Sequence, residues 1–389
     1  MSNTLYDEFQ QTLESQGADR ALSGLADRLR EAGRFHELFD TRLMQARRRL
    51  GLPTILTENL DQLEEPLRGQ VEQAYLDACR EVGQLLLDAG RLGDAWRYWR
   101  ITGDKAPVAE ALERTAIAED NLDEILEIAL QEGVHPEFGF GLVLEHYGTC
   151  NAITLFDSQM QSRTRAEQQH IAGLLVRHLH GELLANLRAD IEQRESQAPD
   201  SDRLSELLTS RDELLANDNY HIDTSHLGAV VRFARLCEDH ETLRLAADLT
   251  EYGRRLSATY QYQGEEPFAD VYPSHRLFFL AQLGEEVDEA LDYFRQKAAD
   301  LSPEEHGGGP AEVYVALLAR LRREAEAIEA ATKLLPAGTP TSGFAPSLLE
   351  LARRAGGYDR LMAVSRDRDD VLGYVAGAIE AAELQSDGS

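Results

Sequence analysis

Apolar residues in this chain recur three and four positions apart and almost never at alternate positions, so one face of each segment is apolar only if the segment is helical. The stretch Val82, Leu85, Leu86, Leu87 and Ala89 is typical: its apolar face is wide and turns with a helical period. β-Branched residues are scattered, and no run reads as a strand. The punctuation is equally plain. Single glycines or short polar turns interrupt the pattern at Gly17, Gly33, Gly90, Gly103, Gly133, Gly148, Gly284 and Gly356. Turns this short between helices of about 12 to 18 residues force consecutive helices to lie antiparallel. The chain is therefore expected to be all-α and built of antiparallel helix pairs.

At 389 residues it needs either two domains or one elongated repeat architecture. Its 43% apolar and 28% charged residues are those of a folding chain, not a disordered one. Asp and Glu number 69 against 39 Lys and Arg, a formal net charge of -30. A surface that acidic repels phosphate backbones and anionic lipid, which argues against nucleic acid and against a membrane as partner, and favours a basic protein or peptide. No apolar run approaches the roughly 20 residues a membrane-spanning helix needs. Residues 1–10 have neither a basic stretch nor an apolar one, and Cys79, Cys150 and Cys237 lack any paired spacing. Both features point to a cytoplasmic protein.

Between Leu76 and Ala109 the small and aromatic residues take up a definite arrangement. With Gly90 as the turn, Gly83 and Ala95 allow two helices to approach, Trp99 fills the groove between them, and Pro107 closes the unit. These offsets resemble the tetratricopeptide repeat, a helix-turn-helix unit of about 34 residues. A degenerate second copy runs from Leu280, Ala281 and Gly284 through Tyr293 and Phe294 to Pro303, and a weaker third surrounds Gly356, Gly357 and Tyr358. The resemblance implies a TPR-like, right-handed α-solenoid with a concave binding face. It covers the ends of the chain and not the centre. Expected divisions are helix pairs over 1–133, an irregular His/Tyr-rich helical centre over 134–275, and TPR-like pairs over 276–389 with a frayed tail from Gln385 to Ser389. One long helix is expected from Arg163 to Gln197. Loops are expected at Leu52 to Glu65, Ser196 to Asp202, Tyr260 to Pro273, His306 to Pro310 and Pro336 to Pro346.

Phosphate-loop, zinc-protease, nucleophile-elbow and dinucleotide signatures are missing from the sequence. The Gly307 to Gly309 run has no strand before it and reads as a linker. What stands out is composition: nine of 11 histidines lie between His135 and His275, accompanied by tyrosines. In the segment His221, Asp223, His226, two imidazoles and a carboxylate bracket a helix start, and with His146 and His275 they form a candidate N/O ligand set for a divalent metal. The competing reading makes Asp223 or Thr224 a helix cap and the histidines turn residues. His178 and Glu182 share a helical face, either as ligands or as a solvated pair. Cys150, after Thr149 and near His146, could be an activated thiol. Trp96 and Trp99 read as core.

Two functions follow. The favoured one is a binding or scaffold protein that holds a peptide or protein segment on the concave face, with Tyr147, Tyr220, Arg232, Tyr260, Tyr262 and Arg276 as candidate contacts. The central arginines, Arg232, Arg235, Arg254, Arg255 and Arg276, could instead hold a carboxylate. The alternative is a metal-dependent enzyme with its site in the central third.

Overall fold

A computed structural model of the chain describes residues 2–55, 63–201, 203–336 and 339–387. Among the described residues there are twenty α-helices and no strand; the one β-type pairing is an isolated antiparallel bridge between Gln263 and Asp270. None of the described helices is long and apolar enough to cross a membrane. The chain divides into two compact units, Met1–Tyr147 and Gly148–Ser389. The break falls at Gly148, whose backbone (φ 81°, ψ 173°) interrupts a helix otherwise running from Pro136 to Gln159.

The first unit contains α1 (Ser2–Gln16), α2 (Ala18–Glu31), α3 (Phe35–Arg49), α4 (Leu67–Asp88), α5 (Leu92–Thr102), α6 (Ala106–Arg114), α7 (Leu122–Leu126) and the start of α8 (Pro136–Gln159). Each of α1 to α4 packs on the next, and α4 packs most extensively on α5. Gly90 turns the chain between them in the left-handed region, at φ 72°. Trp96 and Trp99 are buried with Leu38, Val82, Leu86 and Ala95 in one core. The Trp99 indole lies so close to Gly83 that a Cβ there would sit 2.7 Å from Nε1. The glycine is thus a seat for the ring. Pro107 acts differently from the expectation. Gly103, at φ 73°, ends α5, and Pro107 sits in the first turn of α6, where its missing N–H costs nothing. Of the loop expected at Leu52 to Glu65, residues 56–62 lie outside the described residues.

The second unit opens with the rest of α8 and continues through α9 (Arg165–Glu195), α10 (Leu204–Leu208), α11 (Thr224–Phe233), α12 (His240–Arg255), α13 (Val271–Gln282), α14 (Val287–Asp300), α15 (Pro303–His306), α16 (Gly309–Arg320), α17 (Glu324–Leu334), α18 (Leu348–Ala355), α19 (Asp359–Asp367) and α20 (Val371–Asp387). The long helix expected over Arg163 to Gln197 is α9. A reciprocal capping box between Thr164 and Glu167 starts it, and Ser196 in the left-handed conformation ends it. Ile171, Leu175, Leu179, Leu183, Leu187 and Ile191, four apart, are fully buried along its length. They form the spine on which α11 and α12 pack. From α12 onward, packing passes from α12 to α13, α13 to α14, α14 to α16, α16 to α17, and then on through α18, α19 and α20. The degenerate copies fall on α13–α14, turning at Gly284, and on α18–α19, turning at Gly356.

Three expectations need adjustment at their edges. The break expected from His306 to Pro310 narrows to Gly307 and Gly308, because α15 ends at His306 and α16 begins at Gly309. The loop placed from Tyr260 to Pro273 ends sooner, because α13 begins at Val271 and takes Pro273 into its first turn. Asp202, Ala337 and Gly338, in two of the other expected loops, lie outside the described residues. The tail expected to fray from Gln385 continues α20 as far as Asp387, while Gly388 and Ser389 lie outside.

Candidate functional site

Three of the five candidate metal ligands have separate local roles. His221 is held from both ring nitrogens: Nε2 faces Asp190 Oδ2 at 2.9 Å and Nδ1 faces the Tyr252 hydroxyl at 3.2 Å. Asp223 caps α11, accepting from the backbone N–H of Ser225 and of His226. Its carboxyl lies below the usual range, first because of the Ser225 hydroxyl and, after a desolvation penalty in the opposite sense, because of the His226 amide. His275 is buried in α13, where Nδ1 donates to the Val271 carbonyl at 2.5 Å. His226 is half-buried, and His146 is exposed in the first unit. Among the described residues, no group of three or more His, Cys, Asp or Glu side chains is arranged to hold a metal.

The other singled-out pairs are equally local. His178 Nε2 is 3.9 Å from Glu182 and 3.1 Å from the Thr149 hydroxyl. Cys150 is an exposed free thiol. Tyr147 directs its hydroxyl at Asp123, 3.4 Å away. Arg276 pairs with Glu286 and Glu251, and Glu251 also takes Arg254 and Arg255.

Of the candidate contacts read from the sequence, Tyr220 meets Tyr260, and Tyr262 and Arg232 border one cavity together with Arg235, all in the second unit. Tyr220 and Tyr260 pack edge to face at 5.2 Å between ring centres. Two residues on, the Tyr262 hydroxyl bonds to that of Thr224 at 2.8 Å. Tyr220 and Tyr262 remain 49% and 42% exposed, so this aromatic rim presents faces to solvent. Tyr262 lines a cavity of about 490 Å³ together with Arg232, Arg235, Glu265, Phe268 and His275. Arg232, Arg235 and Glu265 also line an adjoining cavity of about 790 Å³, bounded beyond them by Phe156, Glu312 and Phe344.

The segment that borders both cavities is ordered by its own bonds. Gly264 N–H donates to the Ala269 carbonyl and Phe268 N–H to the Glu265 carbonyl, both at 2.8 Å. Lys297 holds Glu266 at 2.8 Å, and the Tyr293 hydroxyl donates to the Pro267 carbonyl at 3.2 Å. Phe268 is driven inward, 2% exposed, and stacks on the His275 ring at 4.2 Å. On the far side, the buried Glu312 carboxylate accepts from Ser342 N–H and hydroxyl and from Gly343 N–H, at 2.8 to 3.0 Å.

Arg235 occupies the wall common to both cavities. Its Nε donates to the Arg232 carbonyl at 2.9 Å, and its guanidinium carbon lies 5.0 Å from the centre of the Phe268 ring. Burial pushes its pKa down to about 10, Arg232 adds to the fall, and Glu265 opposes it. The group remains a cation at neutral pH. Arg320 fixes the backbone beneath it, donating to the Arg235 carbonyl at 2.9 Å from between the rings of Phe278 and Phe344. Burial, opposed by Glu238, pushes Arg320 down to about 10 as well. His275 is kept neutral below its ordinary range by burial first and by Arg235 next. Its Nδ1 is committed to a carbonyl, and its Nε2 has no hydrogen-bond partner among the described residues.

Phe268, Glu312, Arg320 and Phe344 carry no sequence signal that would single them out. They come from four separate segments, and only folding brings them around Arg235 and the two cavities it borders. The chain matches no protein-family model and no curated protein.

Proposed function

We propose that the chain is a binding protein that recognises a peptide or protein segment, built from degenerate tetratricopeptide-repeat-like helix pairs of the α-solenoid kind. The observation that supports this reading is a set of half-exposed tyrosines, Tyr220 packed on Tyr260 and, two residues on, Tyr262, which borders the first of two adjoining cavities. Tyrosines offer large, rigid, amphipathic contact area at low entropic cost, which suits a recognition surface better than a catalytic one. The ordered segment between Gln261 and Asp270 gives that surface a defined shape rather than a mobile one. The metal-dependent alternative has no comparable support, since His221, Asp223 and His275 already have partners of their own.

Selection of displayed random peptides on the full chain tests the proposal. Selected peptides should lose roughly thirtyfold or more in affinity for Tyr262→Ala, as a central aromatic anchor does. Selection of no peptide, or of peptides indifferent to both Tyr220→Ala and Tyr262→Ala, would remove the groove as the recognition surface.

A further inference from the structure

We infer that the end of the Arg235 guanidinium is the seat of a carboxylate, so that the segment bound in this groove carries a single carboxylate beside an apolar side chain. The inference takes from the proposed function only the source of that carboxylate, a peptide.

Neighbouring arginines of the second unit have carboxylates. Arg232 pairs with Asp157 at 3.1 Å, Arg165 with Glu238 at 3.0 Å, and Arg276 with Glu286 at 3.1 Å. Arg235 makes no ion pair among the described residues, although burial has already depressed its pKa. A partly buried cation with no ion pair, favoured only by Glu265 beyond ion-pair distance, gains from an anion arriving from outside. The geometry defines where it would arrive. Nε is committed to the Arg232 carbonyl, and the face of the group lies against Phe268. What remains is the terminal pair of nitrogens, a planar fork matched to one carboxylate in bidentate contact.

The surroundings select the kind of anion. Asp157, Glu265, Glu266 and Glu312 line the larger cavity, and the chain as a whole carries -30. That field penalises a dianion such as phosphate more than a monoanion. Phe156, Met160 and Phe233 in the larger cavity, and Tyr262 and Phe268 in the smaller, provide the apolar contact. The carboxylate can come from an Asp or Glu side chain or from a chain terminus; the recognising chemistry is the same.

The test uses the full chain and 3-phenylpropionate, with 3-phenylpropanamide as its uncharged counterpart, in titrations and melting curves at constant ionic strength. The acid should bind saturably and raise the melting temperature while the amide does not. Arg235→Gln should weaken the acid roughly thirtyfold or more, the loss expected when one partner of a buried charge pair is removed. Arg235→Lys, which keeps the charge without the fork, should fall between the two. If Arg235→Gln fails to fold, the acid-amide contrast in the natural chain and the lysine variant still decide. Equal binding of acid and amide, wild-type binding by both variants, or tighter binding of inorganic phosphate than of the acid would overturn the assignment.

Two capped peptides locate the source. One has a central aspartate between phenylalanines and an amidated end; the other has asparagine in its place and a free carboxyl end. Binding of either one that is lost with Arg235→Gln upholds the inference and names the source. If 3-phenylpropionate binds through Arg235 and neither peptide does, the carboxylate seat stands and the peptide-binding reading falls.

Discussion

The α4–α5 pair of the first unit and the Arg235 groove of the second are held by different means. Around Trp99 everything is shape: an indole against a glycine, with aliphatic side chains closing the rest. Around Arg235 the wall is a chain of polar dependencies, in which Arg320 holds a carbonyl, Phe268 holds a guanidinium and Glu312 holds a turn. The first kind of contact is stable whatever binds. The second leaves a cation short of a partner. A helical protein can thus hold one region by apolar shape, even with the Trp96 and Trp99 indole N–H groups buried and without a hydrogen-bond partner among the described residues, and build a cation-lined groove in another.

The largest expected effect falls on the apolar side of this comparison. Trp99→Ala should cost roughly 3 to 5 kcal/mol in chemical denaturation, the range for a buried aromatic cut back to alanine. A midpoint unchanged within error would mean that the ring is not the filler of the α4–α5 groove.

Next comes acid sensitivity in the second unit. His275 is neutral in the folded chain and free to protonate once unfolded, because burial and then Arg235 depress its folded pKa. Its contribution is therefore constant above the unfolded value near 6.5 and is lost as pH falls below it, at about 1.4 kcal/mol per pH unit. Urea midpoints between pH 7 and pH 5 should reveal this slope, and His275→Gln should flatten it. Identical slopes for the two proteins would show that the imidazole already carries its proton in the fold.

A smaller effect sharpens the packing argument. Gly83→Ala gains about 1 kcal/mol of helix propensity but drives a methyl into the indole, an overpacking cost of roughly 1 to 3 kcal/mol. The net change should be a destabilisation of about 1 kcal/mol in the natural chain. In a Trp99→Ala background the same substitution should stabilise. A double-mutant cycle reads the reversal directly, and additivity would sink the close-approach account.

Tyr220→Ala should be the mildest, within about 0.5 kcal/mol in stability, since the ring is half-exposed and loses chiefly its edge contact with Tyr260. A cost comparable to that of Trp99→Ala would mark the tyrosine rim as core and not surface.

The same contrast explains what could be read from the sequence. All eight glycines taken as helix punctuation have positive φ. The long helix differs from its expected ends by two residues at each side. Local rules govern both features. The Trp99–Gly83 contact was readable for the same reason, since its partners sit on two consecutive helices joined by one short turn. The candidate metal set was not a comparable inference, because composition brings histidines near in sequence without fixing what each one meets. His221 meets Asp190 from the long helix, and His275 meets Phe268 and Arg235. The tyrosines and Arg232 were legible as a polar, aromatic centre. The wall they border was not, because Phe268, Glu312, Arg320 and Phe344 lie in different segments and each alone resembles an ordinary core or surface residue.

Glu312 also has a bearing on how the protein meets proteases. A segment tied at its middle behaves, in chain statistics, as two shorter spans, and shorter spans reach the extended shape needed for cleavage less often. The carboxylate that receives Ser342 and Gly343 divides the connection between α17 and α18 in this way. Glu312→Gln preserves the size of the side chain and removes its charge, so the segment around Ser342 should become the earliest point of limited proteolysis while the flanking helices are still folded.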